Sequence, residues 1–486
     1  MNRFHSIQLI LLQFLMATVQ WSCSVGGSTD RPRPHVVLFV VDDLGWSDGS
    51  AFGSDLYQTP NLDQLVIDGV MFTNAYSACT VCSPSRASLM TGKYPANINC
   101  TDWITGHEKP YAKLKVPEWT MFMDTSEYTL AEALSDEGYQ TIHLGKWHLG
   151  EDEIYWPENQ GFDINIGGHA GGSPKAKGGN GYFSPYNNPR LDDGTDGEYL
   201  TERLAGEALD YIIAHANDDQ PIFMNLWLYN VHTPLQAKAD KIEKYMKLVG
   251  DTLRHSNPVY AAMVEHMDDA LGTVISALKR ANMYDNTVII FTSDNGGLLG
   301  NFRKLKKPIT DNSPLRSGKG DMYEGGVRVP MVISWPAAIQ GGLTNETMIM
   351  SIDVFPTIMG LTNTNPQRQT KFDGIDFSGL LTRKENIQRE ELFWHYPHYH
   401  LEGARPYGAI RKGDWKLVET FEENRLELYN LKEDVGESNN LSSIYPDTAN
   451  LLHDKLMEWR LQMEAQMPVP NPHYEPSIEE KWSLRK

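Results

Sequence analysis

Five apolar, β-branched runs frame this chain: His35–Val41, Thr141–Leu144, Ile222–Leu228, Val288–Thr292 and Met331–Ser334. Between them lie stretches with helical spacing of apolar residues, among them Thr129–Glu137, Tyr199–Ala216 and Val259–Ala281. Strand-like runs alternating with helical ones predict an α/β fold, a mostly parallel sheet covered by helices on both faces. The residues just past each run are more specific. Asp42-Asp43 comes after the first, Gly145-Lys146-Trp147-His148 after the second, Tyr229-Asn230-Val231-His232 after the third and Ser293-Asp294-Asn295 after the fourth. Ligands of open α/β sheets sit beyond the carboxyl ends of the strands. Four strand ends bearing ionisable or metal-binding groups therefore predict a single site there.

The pattern changes after Pro336. Asp353-Val-Phe-Pro-Thr opens a short helix, and a polar linker runs through Thr382–Arg389. Gly408–Arg411, Trp415–Glu419 and Glu427–Asn430 then read as short antiparallel strands. A final helix is predicted over Asp447–Gln466, with Leu452, Leu456, Trp459 and Met463 on one buried face. The expected organisation is a catalytic domain over residues 35–385 and a C-terminal α+β subdomain over residues 386–486.

Residues 1–22 have the form of a signal peptide: a basic Arg3, an apolar core over Ile7–Val19, and a small-residue boundary near Ser22. The apolar core is too short to span a bilayer, and no other stretch reads as a transmembrane helix. Residues 23–34 form a linker. Cys23, followed by the Gly/Ser-rich Ser24–Thr29, is a candidate lipoprotein anchor, although Gln20 stands where such sites usually carry an aliphatic residue. Export to the periplasm or the medium is the expectation. The net charge of −20 argues against nucleic acid as a partner. It also means that an anionic substrate would need positive charge concentrated locally.

The run Cys79-Thr-Val-Cys82-Ser-Pro-Ser-Arg86-Ala-Ser-Leu-Met-Thr-Gly92 carries the most chemistry. Pro84 suits a first helical position and Ser83 an N-cap, which sets Cys82 just ahead of a helix N-terminus, where an anion is favoured. Arg86 adds a fixed positive charge within the first turn. A nucleophile at an anion site outlines an enzyme acting on sulfate or phosphate esters. Cys79-x-x-Cys82 also has the spacing of a redox pair or half a zinc site. A redox pair belongs to a smaller βαβ unit, and Cys23 and Cys100 supply no second zinc pair. Four cysteines do not make a disulfide framework; Cys79 and Cys100 could pair or remain buried thiols.

The Cys82 stretch resembles the signature of the type I, formylglycine-dependent sulfatases, Cys-x-Pro-Ser-Arg followed by a small helix and Thr-Gly. Further matching motifs are Gly145-Lys146-Trp147-His148-Leu-Gly150, His232-Thr-Pro-Leu-Gln236 and Gly318-Lys319-Gly-Asp-Met-Tyr-Glu-Gly-Gly-Val-Arg328. The resemblance extends from about residue 34 to 430. It implies an alkaline-phosphatase-like α/β domain with a small C-terminal α+β domain. It also implies conversion of Cys82 to formylglycine (3-oxoalanine) by a formylglycine-generating or anaerobic sulfatase-maturating enzyme. One Ca²⁺ would be held by Asp42, Asp43, Asp294 and Asn295 together with residue 82; hard oxygen donors with one amide suit calcium or magnesium better than zinc.

The resemblance assigns the remaining roles. The hydrate of residue 82, its ionisation favoured by calcium and Arg86, attacks sulfur while Lys146 and Lys319 hold the sulfate oxygens. His232 is the general acid to the leaving oxygen. His148 then takes the proton of the second hydroxyl, so that sulfate is eliminated and the aldehyde reforms. His143 stands where the family generally has an apolar residue and reads as a core histidine.

Three stretches are candidates for specificity: Gly167–Ser173 running on to Tyr182–Tyr186, the basic Arg303-Lys304-Leu-Lys306-Lys307, and His395-Tyr-Pro-His398-Tyr-His400. The last could also form a second metal site. The segment Trp103–Phe122, with His107, Trp119 and Met121, is a candidate substrate rim. The overall pattern is similar to exported bacterial polysaccharide sulfatases, so glycosaminoglycans and algal glycans such as ulvan, carrageenan or fucoidan are the expected substrates. The rival readings are a formylglycine-dependent phosphonate or phosphate ester hydrolase, and an inactive sulfated-glycan-binding protein.

Overall fold

In the computed structural model, β1 (His35–Val41) lies inside the main sheet, with every residue from Val36 to Val41 buried. Its side chains alternate between two cores. Val37, Phe39 and Val41 enter one cluster, and Val36, Leu38 and Val40 enter the other. Burial on both faces is why this run is continuously apolar rather than alternating. Each such aliphatic side chain stabilises the fold by roughly 1.5–3 kcal/mol.

The sheet also contains β2 (Gly69–Phe72), β3 (Gln140–Gly145), β4 (Ile164–Ile166), β5 (Ile222–Trp227), β6 (Thr287–Ser293), β7 (Met331–Ser334) and β8 (Leu343–Asn345). Their order is β8-β2-β7-β6-β1-β5-β3-β4. β7 runs antiparallel to both of its neighbours, and the other pairs are parallel. The register sets Val41 beside Ser293, Val40 beside Trp227 and Gly145 beside Trp227. The residues at the C-terminal ends of β1, β3, β5 and β6 consequently emerge at one edge of the sheet.

On the first face pack α2 (Leu200–Ala214) and α3 (Pro258–Arg280). Helix α3 starts with Pro258 at its first position and the Asn257 side chain accepting from the Val259 and Tyr260 amides, both at 3.2 Å. On the second face, α1 (Cys82–Thr91) contributes Ala87, Leu89 and Met90 to the core. It begins two residues earlier than the proline suggests, with Cys82 as its first residue. Ser83 does not cap it; its Oγ accepts from the Ile104 amide instead, at 3.1 Å.

A second, antiparallel sheet comprises β9 (Glu391–Tyr396), β10 (Tyr407–Lys412), β11 (Trp415–Thr420) and β12 (Arg425–Asn430) in sequential order. Helix α4 (Pro446–Gln462) covers it through Leu452, Leu456 and Trp459. Strand β9 reads poorly from sequence because its last residues belong to a run of histidine and tyrosine. This sheet shares a core with Val81 and Met322, so it braces the segments on either side of Cys82 and Lys319. After α4 the chain returns to pair antiparallel with the 103–122 segment, Val469–Pro470 with Leu114–Lys115 and Ser483–Leu484 with His107–Glu108.

The structure describes residues 32–175, 178–300, 308–368, 370–387 and 389–484. The segment read as a signal peptide, Cys23 and the basic run 303–307 lie outside the described residues. From Arg33 onward the chain forms one compact unit. Among the described residues, no helix is long and apolar enough to cross a membrane.

Candidate active site

At the edge where β1 and β6 end, Asp42, Asp43, Cys82 and Asp294 bring one ligand atom each within 4.8 Å of one another, all buried. Asp43 adopts a left-handed conformation (φ 62°) at the turn out of β1, and its amide donates to Asp294 Oδ1 at 3.1 Å. Each carboxylate has a cation. Lys146 Nζ donates to Asp42 Oδ2 at 2.6 Å, Lys319 Nζ lies 2.7 Å from Asp43 Oδ1, and Arg86 Nε donates to Asp294 Oδ2 at 2.8 Å. Asn295 donates from Nδ2 to Asp43 Oδ1 at 2.8 Å, and its buried Oδ1 has no hydrogen-bond partner. Three carboxylates, a thiol and an unpaired amide oxygen at one point make a donor set for a hard divalent cation.

Cys82 lies inside this ring of charge, with Sγ 3.5 Å from Asp42 Oδ1 and 3.3 Å from Lys319 Nζ. Burial pushes its thiol up to about 12, against the pull of Lys146 and Lys319, so an unmodified thiol here stays protonated. Burial likewise raises the Asp42 carboxyl to about 7 despite Lys146. Asp43 and Asp294 are buried too, but Lys319 and Arg86 respectively hold them below the ordinary carboxylate range. The Arg86 guanidinium is also fixed from behind, 5.0 Å above the Trp227 ring, with Nη1 donating to the Lys146 carbonyl at 3.3 Å. Nothing in the sequence marks Trp227 for that task.

Two histidines complete the arrangement. His148 donates from Nε2 to the Ile104 carbonyl at 2.5 Å, which leaves Nδ1, buried and without a partner, as its basic nitrogen. Gly172 makes room for this ring: a Cβ there would fall 2.4 Å from His148 Cε1. His232 Nδ1 donates to the Thr233 carbonyl at 2.6 Å, and its Nε2 lies 3.9 Å from Asp43 Oδ2. Burial and Lys319 lower its pKa to about 3, partly offset by Asp43. All ten residues singled out from the sequence thus converge on one place.

A cavity of about 320 Å³ opens above Cys82, His148, His232 and Lys319. Its outer wall includes Trp103, His107, Ser173, His400 and Leu401. The Gly-rich loop therefore reaches the site, but the aromatic stretch after it does not: Tyr182 and Tyr186 are core residues, and Tyr182 donates to the Tyr229 carbonyl at 2.5 Å. In the 103–122 segment His107 faces the cavity, whereas Trp119 packs against His398 at 5.8 Å. The three C-terminal histidines part company, so they make no second metal site. His395 Nε2 bonds to the Gln466 carbonyl, His398 Nε2 to Thr101 Oγ1, and only His400 lines the cavity. His143 is a satisfied core histidine, bonded to Asn225 and the Gly145 carbonyl. Cys79 and Cys100 are buried free thiols.

This arrangement has known counterparts. Residues 34–364 match the sulfatase family, and residues 318–463 match the C-terminal region of N-sulphoglucosamine sulphohydrolase. A sulfatase of Formosa agariphila is 30% identical over 544 residues, covering 96% of this chain and 95% of its own. The N-acetylgalactosamine-6-sulfatase of Rattus norvegicus is 30% identical over 417 residues, 81% of this chain and 73% of its own. The crystal structure of Ps i-CgsB in complex with k-i-k-neocarrahexaose superposes with a TM-score of 0.73 at 28% identity, covering 91% of this chain and 94% of that one. The chain belongs to the sulfatase family, and its reaction class is that of a sulfuric ester hydrolase.

Proposed function

We propose that the protein removes sulfate ester groups from a sulfated polysaccharide or its oligosaccharides, after export, with formylglycine at residue 82 and one Ca²⁺. The observation that carries this reading is the convergence of Arg86, Lys146 and Lys319 with three carboxylates around Cys82, beneath a cavity lined by aromatic and imidazole side chains. The carbohydrate substrate is supported by a relative named as an N-acetylgalactosamine-6-sulfatase and by a structural neighbour solved in complex with k-i-k-neocarrahexaose.

Asp42, Asp43, Asp294 and the free Oδ1 of Asn295 would hold the metal. A hard divalent cation, when bound, supplies charge that favours ionisation of a neighbouring hydroxyl. The hydrate of formylglycine at residue 82 would supply that hydroxyl, as one of a geminal pair.

The chain's own groups do the rest. Arg86, fixed by Asp294 and Trp227, provides a charge that cannot be titrated away. Lys146, bonded to Asp42, and Lys319, 3.3 Å from Cys82 Sγ, hold sulfate oxygens where charge redistributes in the transition state. His232 donates from Nδ1 to the Thr233 carbonyl, so the proton it gives to the leaving sugar oxygen is the one on Nε2. That charged form is opposed by burial and Lys319 in the free site, and an anionic ester beside the ring favours it. His148, with Nε2 committed to Ile104, accepts a proton at Nδ1.

The nearest rival is a formylglycine-dependent phosphonate or phosphate ester hydrolase. Turnover of nitrophenyl sulfate and nitrophenyl phosphate, by enzyme whose residue 82 conversion has been verified, separates them. Faster turnover of the phosphate would displace the present reading.

A further inference from the structure

We propose that Trp103 and His107 bind the sugar ring that bears the sulfate, and that the C-terminal tail, through Trp482, holds them in position. This rests on the sulfated-saccharide reading above and adds where the sugar sits and what shapes its wall.

The cavity of about 320 Å³ is at the small end of ligand pockets, a size for one sugar ring with its sulfate. Cys82, His148 and Lys319 are buried in its lining, whereas Trp103 and His107 are half-exposed in its outer wall, where a sugar ring joined to the sulfate would meet them. Trp103 and His107 form one side of that wall, their rings 4.7 Å apart and tilted by 56°. Trp103 offers an apolar plane for a sugar face, and His107 a neutral imidazole, since burial lowers its pKa. An imidazole can donate to or accept from a sugar hydroxyl, which an aryl sulfate lacks.

This wall is fastened from both ends. Upstream, the Trp103 amide donates to Asp102 Oδ1 at 2.9 Å, and that carboxylate also accepts from Tyr396 Oη at 2.8 Å. Downstream, the returning tail pairs with His107–Glu108, and the Trp482 ring stands edge-on to His107 at 6.1 Å. Lys109 lies 5.1 Å from the Trp482 ring centre and 2.7 Å from Glu480. Asn471 Nδ2 donates to the Ala112 and Pro110 carbonyls at 2.7 and 3.0 Å. A tail with no catalytic group thus packs against the segment that carries this wall. Trp482 does not line the cavity and is a positioning residue; Trp103 and His107 are the binding residues.

The test uses full-length enzyme with verified residue 82 conversion. Its probes are nitrophenyl sulfate, inorganic sulfate as inhibitor, and a panel of galactose, N-acetylgalactosamine and N-acetylglucosamine monosulfates. Trp482→Ala should raise KM for the sulfated monosaccharide about 3- to 10-fold at constant kcat, the worth of one aromatic contact. Nitrophenyl sulfate turnover and inhibition by sulfate should be unchanged, and Trp482→Phe should restore KM. His107→Ala should raise the same KM by at least as much. An unchanged saccharide KM in both alanine variants would overturn the proposal. A parallel loss on saccharide and nitrophenyl sulfate by Trp482→Ala would also overturn it, making the tail a general structural support. So would a wild type that cleaves nitrophenyl sulfate but none of the monosulfates, whereas a converted wild type that cleaves no sulfate ester would instead sink the sulfatase reading beneath it.

Discussion

Arg86 and Asp294 are fully buried against each other, with Nε and Nη2 of the arginine both 2.8 Å from Oδ2 of the aspartate. The pair joins the second turn of α1 to the residue just past β6, 208 residues along the chain. It therefore carries structure and chemistry at once.

Asp294→Ala removes a proposed metal ligand and leaves the buried guanidinium with Asp42 Oδ1, 3.7 Å away, and the Lys146 carbonyl. Losing one partner of such a pair costs on the order of 3–5 kcal/mol. Both thermal stability and sulfate ester turnover should fall steeply. A variant that keeps wild-type stability would show that Asp42 and the Lys146 carbonyl suffice for Arg86.

Divalent cation dependence is expected from the donor set around Asp42. Exhaustive chelation should abolish turnover, and calcium should restore it. Turnover untouched by chelation would remove the metal from the account.

His232 is expected to discriminate by leaving group. Nitrophenolate departs without a proton, and a sugar alkoxide does not. His232→Ala should lose on the order of 10²–10⁴-fold on a sulfated saccharide and far less on nitrophenyl sulfate. Lys319→Ala should reduce both more evenly. Equal losses for His232→Ala would make this histidine a sulfate-positioning residue.

Gly172→Ala tests the place of His148. The added Cβ would fall 2.4–2.8 Å from three atoms of the imidazole, so the ring must shift. Misplacement by about 1 Å can cost on the order of 10²-fold in rate. Unchanged kcat would show that the position of this ring is not critical.

Much of this architecture is legible in the chain because local signals agree with it. Met331–Ser334 and His35–Val41 read as strands with the boundaries the structure shows, since both are apolar, β-branched and buried on two faces. The ten site residues are legible because they lie just past strand ends or sit in motifs with fixed spacing. The features that escape have no local signal. Trp227 reads as the end of a core strand, yet it supports Arg86. Ser83 looks like a helix cap, but Ile104, 21 residues on, takes its hydroxyl. Tyr182 and Tyr186 look like a sugar-binding loop, and only the fold reveals that they are buried. The tail that reaches His107 pairs with residues more than 350 positions away, beyond any sequence window.

His255 provides a test by pH, away from the active site. Its side chain is buried between Asp55, 2.8 Å from Nδ1, and Asp48, 3.4 Å from Nε2. Burial opposes its charge, but the two aspartates outweigh it and raise the pKa above the ordinary 6.5. The charged imidazole therefore adds stability that is fully present below 6.5 and is lost as pH rises through the raised value. The melting temperature of wild type should exceed that of His255→Gln most at low pH, with the gap narrowing as pH rises. A gap that widens with pH would contradict the assignment.

The most direct test of the central claim is release of inorganic sulfate from a panel of sulfated oligosaccharides. It compares enzyme whose residue 82 is shown by mass spectrometry to be formylglycine with Cys82→Ala. The converted enzyme should release sulfate from at least one saccharide, and Cys82→Ala from none at any calcium concentration. Sulfate release by Cys82→Ala, or none by the fully converted enzyme, would contradict the account.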